Sequence, residues 1–147
     1  MRAVIDTNVL FEGLTHLGPA AEIIDAWISG RFQPCVSTAL ALEYQDVLAR
    51  KLSPPRGEAA LKALQALLSR AVYAPIWYSF RPASRDPGDD LVIDCVLNSQ
   101  ALLVTFNLRD FREPAEEFGF TALSPTTFLN YLEIRRPDHE PPDTPPS

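Results

Sequence analysis

A chain of 147 residues suffices for one domain with a real core, and 46% apolar with 22% charged residues is the balance of an ordinary soluble globular protein. The formal charge of −6 excludes nucleic-acid binding through a broad basic surface. No stretch approaches the roughly 20 apolar residues of a membrane span, and the first apolar run stops at Asp6, too early for a signal peptide, so a cytoplasmic protein is expected.

Residues 2–5 form a short apolar run that ends at Asp6, the pattern of a buried strand entering a polar loop. Over 19–29, Ala20, Ile23, Ile24, Trp27 and Ile28 recur at helical spacing, with Pro19 suited to the first turn and Gly30 to the stop. Residues 33–36 are a second strand candidate, followed by Ser37 as N-cap of a helix running to about residue 50. The Pro54–Pro55 pair reads as a break, and 58–70 as a helix with Leu61, Leu64 and Leu68 on one face. Residues 72–80 have strand composition, which Pro75 confines to an edge or bend. A loop over 81–88 leads to a helix opening at Asp89 or Asp90 and continuing to about Ser99. Strands over 101–105 and 120–123 and a helix over 125–134 complete a domain at 1–136. Residues 137–147 hold five prolines and almost nothing apolar, and read as a disordered tail.

Strands alternating with helices imply an α/β fold whose parallel sheet is covered on both faces. Function in such sheets gathers at the carboxyl ends of the strands. Here those ends lead into acids and amides: Asp6 after the first strand, Asn107 and Asp110 after residues 102–105. Asp6 alone serves equally well as a turn or N-cap residue. Glu43 is more telling, because it falls within the stripe of Leu40, Tyr44, Val47 and Leu48. A carboxylate on a core-facing stripe is costly unless paired, protonated or bound to a cation; a buried arginine partner is the bland alternative. Asp89 lies three residues before Val92, on the inward face of its helix, and Asp90 on the neighbouring stripe; either also suits a cap. Asp94, one turn further on, is a weaker candidate.

Several carboxylates at one sheet edge repel one another without a counter-charge. An all-oxygen set without His or Cys favours Mg2+ or Mn2+, and phosphodiester hydrolysis is the natural reaction class for it. Cys35 and Cys95 lie in apolar stretches without metal-type spacing and read as reduced core residues. With His16 and His139 the only histidines, zinc sites and Ser–His–Asp chemistry have little material.

At this point the residues resemble a family. VIDTNVL at 4–10 resembles the opening signature of PIN domains, and LEYQDVL at 42–48 is similar to the glutamate-bearing helix of the bacterial toxin branch. RDPGDD at 85–90 resembles that branch's loop before the third acidic helix, and LVTFNLRDF at 103–111 the fourth motif as seen in VapC-type toxins. The resemblance implies a three-layer α/β/α fold with a central parallel sheet of about four or five strands. It carries over Asp6, Glu43 and Asp89 as the metal-binding, catalytic triad, supported by Thr7, Asn8, Asp90, Thr105, Asn107 and Asp110. Asp89 is preferred to Asp90 on the family's placement of the ligand three residues before an apolar helix position, and Asp86 fixes the loop. Many members have aspartate two residues after the threonine, where this chain has Asn107; that puts a second metal ion in doubt, and Asp110 is the candidate to share the role. The resemblance further implies an RNA substrate, a homodimer and a cognate antitoxin. Arg81, Arg85, Arg109 and Arg112, in loops near the acids, are candidates for phosphate contact.

The expected activity is therefore a metal-dependent endoribonuclease. A binding or regulatory module of the same fold without turnover is the rival, supported by Asn107 and the acidic surface. An aspartate-nucleophile phosphatase also uses an early Asp after a strand, but its second acid two residues later is here Asn8.

Overall fold

Residues 1–79 and 86–134 are described by a computed structural model, in which the short apolar runs become strands and the longer periodic segments helices. The order is β1 (Arg2–Ile5), α1 (Thr7–Thr15), α2 (Pro19–Ile28), β2 (Gln33–Val36), α3 (Thr38–Lys51), α4 (Pro54–Leu68), β3 (Val72–Tyr73), α5 (Pro87–Ser99), β4 (Leu102–Val104), α6 (Leu108–Phe118), β5 (Ala122–Leu123) and α7 (Pro125–Ile134). All strand pairs are parallel, in the order β3-β2-β1-β4-β5. Helices cover both faces, giving the expected three-layer α/β/α architecture. Val4, Val36, Leu103 and Val104 are fully buried, which is why these strands read as continuous apolar runs rather than alternating ones. From β1 the chain proceeds outward to β2 and β3, then returns to the other side of β1 for β4 and β5. That reversal makes the β1–β4 boundary the switch point of the sheet.

The core is tied together across layers. Trp27 of α2 is buried and its indole N–H donates to the Leu67 carbonyl of α4 at 2.9 Å. Its ring meets Phe32 edge-on, and Phe32 meets Phe128 of α7 in the same way. Gly13 lets α1 lie close on α2: a Cβ there would come within 2.6 Å of the Ala20 carbonyl oxygen and of Ile24 Cγ1. Cys35 and Cys95 are free and buried in this core, and burial pushes the Cys95 thiol up to about 12.

Several expectations need correction. Residues 7–15 are helix α1, where a polar loop was expected, and α6 is a further helix that the sequence did not signal. The Pro54–Pro55 pair opens α4 rather than breaking the chain, because the first turn of a helix has no use for its N–H groups. The fully buried stripe of α4 is Ala60, Leu64 and Leu67, turned to bring Leu67 to Trp27, and the expected Leu61 and Leu68 pack half-buried beside it. Helix α5 begins at Pro87, not Asp89, with Asp86 as its cap. Of the expected strand over 72–80 only Val72–Tyr73 pairs with β2. Residues 80–85 and the tail at 137–147 lie outside the described residues. No helix among the described residues is long and apolar enough to cross a membrane.

Candidate metal centre at the sheet switch point

β1 and β4 end side by side, with Ile5 in register with Val104. The Asp6 amide donates to the Val104 carbonyl at 2.9 Å, and beyond this bond the two chains diverge. Asp6 is the N-cap of α1, its Oδ1 accepting from the Thr7 amide at 2.8 Å. Its Oδ2 accepts the Thr105 hydroxyl at 2.7 Å, and Thr105 Oγ1 in turn accepts from the Asn107 amide at 2.9 Å. Both carboxylate oxygens of Asp6 are thereby fixed in direction by the ends of two neighbouring strands. The buried Tyr44 hydroxyl donates to the Ile5 carbonyl, docking α3, and with it Glu43, onto the end of β1. Burial holds the Tyr44 pKa well above its ordinary value, so the hydroxyl stays a donor.

A cleft of about 450 Å³ opens over this junction. Asp6, Glu43 and Asp89, separated along the chain, all line it, together with Thr7, Asn8 and Asn107. Asp90 does not; it is buried one position around α5. Asp110 also lies off the lining, exposed on the first turn of α6, yet its charge is felt by both Asp6 and Asp89. Thr105 is fully buried and reaches the site through Asp6.

The electrostatics are those of crowded, partly desolvated acids. Burial is the main cause that pushes the Asp89 carboxyl up to about 7, and the charges of Asp6, Asp86, Asp110 and Asp90 add to it. Asp6 is raised by burial and by Asp86 and Asp110, against the opposing pull of its bonds to Thr105 and Thr7. Among the described residues neither acid, nor Glu43, is held in an ion pair.

These residues fit a hard divalent cation. The Asn8 side-chain oxygen is buried with no hydrogen-bond partner among the described residues, on a residue that lines the cleft. Spare amide lone pairs beside carboxylates on one cleft lining are oxygen donors of the kind that suits Mg2+ or Mn2+. Among the described residues, no three His, Cys, Asp or Glu side chains are grouped so that they could hold a metal ion by themselves. An open set of carboxylates completed by water and phosphate oxygens is how Mg2+ is ordinarily held.

Sequence reasoning missed three contributors: Asp86, Arg50 and Lys51. Asp86 was given only a loop-fixing role; it caps α5, accepting from the Gly88 amide at 2.8 Å, and lines the cleft. The signal was present as an Asp–Pro pair at a helix start. The cations on the lining are Arg50 and Lys51, at the end of α3. Arg109 and Arg112 were expected near phosphate, but α6 turns Phe111 and Pro114 inward and leaves both arginines exposed off the cleft. Arg81 and Arg85 lie outside the described residues.

An open parallel sheet of order 3-2-1-4-5 with an acidic crevice at its switch point defines the class of domain. The PIN domain family matches residues 2–109, and the chain belongs to that family. No curated protein matches it. Its fold is similar to a chain in the crystal structure of VapBC2 from Rickettsia felis bound to a promoter DNA fragment, with a TM-score of 0.61 and 15% identity, covering 84% of this chain and 98% of that one. VapBC-1 from nontypeable Haemophilus influenzae gives a TM-score of 0.57 at 15% identity over 86% and 99%. FitAcB from Neisseria gonorrhoeae gives 0.57 at 13% over 84% and 98%.

Proposed function

We propose that this chain is a divalent-metal-dependent endoribonuclease that hydrolyses RNA phosphodiester bonds, and the toxin of a toxin–antitoxin pair. The observation that carries the reading is that Asp6, Glu43 and Asp89 all line one cleft, beside the Asn8 oxygen that has no partner among the described residues. Asp6, Glu43 and Asp89 would hold Mg2+ or Mn2+, with Asn8 and Asn107 as neutral oxygen donors to it or to its water. When bound, the cation activates water, orients it toward phosphorus and offsets charge on the leaving oxygen. Thr105 and the Thr7 amide hold the Asp6 carboxylate in one orientation. Lys51 and Arg50 present positive charge to the substrate from the cleft wall, where an otherwise acidic chain needs it.

The toxin role, a cognate antitoxin, a homodimer and a cytoplasmic location belong to the same proposal. The fold likeness to chains of VapBC and FitAcB complexes supports it. So does the toxin-type fourth motif. A non-catalytic RNA-binding module is the second reading, favoured by Asn107 in place of an acid. Incubation of the purified protein with RNA and Mn2+ separates the two. Cleavage that EDTA abolishes and that Asp6→Asn reduces at least about a hundredfold is expected, each such loss being near 3 kcal/mol of transition-state stabilisation. Equal cleavage by Asp6→Asn and the native chain would mark a contaminant and remove the enzyme claim.

A further inference from the structure

The cleft has one wall that metal chemistry does not use. Phe106 lines it, is 48% exposed, and belongs to no part of the hydrophobic core. Its backbone sits between Thr105 and Asn107, which are bonded to each other at 2.9 Å and, through Thr105, to Asp6 at 2.7 Å. The peptide bearing the ring is therefore anchored next to the acids, and its exposure cannot be put down to a loose loop. On the same lining, Lys51 lies with its Nζ 5.3 Å from the centre of the Phe11 ring, itself a lining residue. Arg50 shares an exposed ion pair with Asp46 at 3.3 Å, a contact that costs little to exchange.

Resting on the nuclease reading above, we propose that Phe106 is the stacking platform of the cleft. It takes the face of an unpaired base next to the phosphate at the acids, while Lys51 and Arg50 take flanking phosphates. The physical case is one of supply. With a charge of −6, the chain has no basic field to hold a polyanion. Affinity must then come from the cation, the two rim cations and apolar contact. A half-exposed aromatic ring on an anchored peptide offers the last of these to any base, since every base has a π-face. In a duplex those faces are covered by neighbouring bases, so the platform selects unpaired nucleotides while reading little sequence.

The test uses the full chain with Mn2+ and a short labelled single-stranded RNA, with the same RNA annealed to its complement for comparison. Phe106→Ala is expected to raise KM on the single strand by roughly 10- to 100-fold, the range for loss of one base–aromatic stack, with kcat changed far less. Phe106→Trp should restore KM and Phe106→Leu should not. Wild type should cleave the duplex at least about tenfold less well, and Phe106→Ala should add no further loss there. The ring is exposed, so each variant should melt close to wild type and keep its stabilisation by Mn2+. If Phe106→Ala matches wild type on the single strand, or Leu restores as fully as Trp, the platform is overturned while the nuclease reading stands; the latter result would mark a general apolar contact, such as one for a protein partner. A wild-type chain that neither binds Mn2+ nor cleaves RNA overturns the nuclease reading and this inference with it.

Discussion

Asp89→Asn should stabilise the metal-free protein at pH 8 and abolish its response to metal. Asp89 is pushed up from 3.8 to about 7, first by burial and then by four neighbouring aspartates. A gap of about three units corresponds to about 4 kcal/mol if felt in full. Asp89 is only half-buried, so solvent screening reduces this to about 1–2 kcal/mol. Against it stands the favourable position of a carboxylate in the first turn of α5, worth about 0.5 kcal/mol, which Asn forfeits. The net gain is then near 1 kcal/mol, or about 3 °C in Tm for a chain of this length. The pH dependence follows from proton uptake. Between pH 4 and 7 the folded state holds a proton that the unfolded chain releases, so wild-type stability falls as pH rises through that window. Below pH 4 both states are protonated and the advantage of the variant vanishes. Thermal melts in EDTA at pH 4 to 8 measure this, and a Mn2+ series at pH 8 measures the second half. Wild type should gain about 2.7 kcal/mol at a hundredfold excess over Kd, and the variant little. A variant less stable at every pH, or a difference that ignores pH, would mean that Asp89 serves a structural contact and refute the reasoning.

Two further expectations address the scaffold. Thr105→Val keeps the shape but leaves Asp6 Oδ2 and the Asn107 amide without their shared partner, which costs about 1–3 kcal/mol and moves the Asp6 carboxyl still higher. Urea denaturation gives the first effect; a shift of the pH profile of Mn2+ binding to higher pH gives the second, and an unshifted profile would show that Thr105 does not tune Asp6. Gly13→Ala should cost about 1–3 kcal/mol, because a Cβ would overlap the backbone of α2 as well as Ile24. The same urea midpoint checks it, and a neutral result would mean that α1 and α2 separate freely.

Much of the site was legible because its signal is local. Ser37 followed by an apolar stripe predicted the α3 start, and Ser37 Oγ does accept from the Leu40 amide at 3.0 Å. Glu43 and Asp89 stood out as carboxylates on faces that read as core, although both are half-buried at the edge of those faces rather than within them. Asp89 lines the cleft and Asp90 does not; the spacing to Val92 placed Asp89 on the core side, whereas α5 buries Asp90, and the preference for Asp89 came from the family resemblance. What was not legible has non-local causes. α1 begins with Thr7 and Asn8, poor helix formers, and is held by its close approach to α2 at Gly13. α6 contains Pro114 and is crowded with charge, and only Phe111 and Pro114 are buried. Beyond β3 the chain runs on without strand partners because a side chain replaces them: Asn98 of α5 accepts from the Trp77 amide and donates to the Tyr78 carbonyl, each at 2.9 Å. No pattern in residues 74–79 announces that substitution.

The crevice is also where three helices begin. Asp6 caps α1, Asp86 caps α5 and Asn107 stands at the cap of α6. Each N-terminus brings roughly half a positive charge, felt within the first turn. That field, with the Thr7 and Thr105 bonds, favours a charged Asp6, yet burial and its acidic neighbours still raise it, and Asp89 still stands at about 7. The fold thus moderates the repulsion of its own acids without cancelling it. On the proposed reading a compact cation would complete that balance and turn the same carboxylates from a barrier to phosphate into its anchor. Recognition of a polyanion by a chain this acidic would, on that reading, depend on one cleft and not on the charge of a surface.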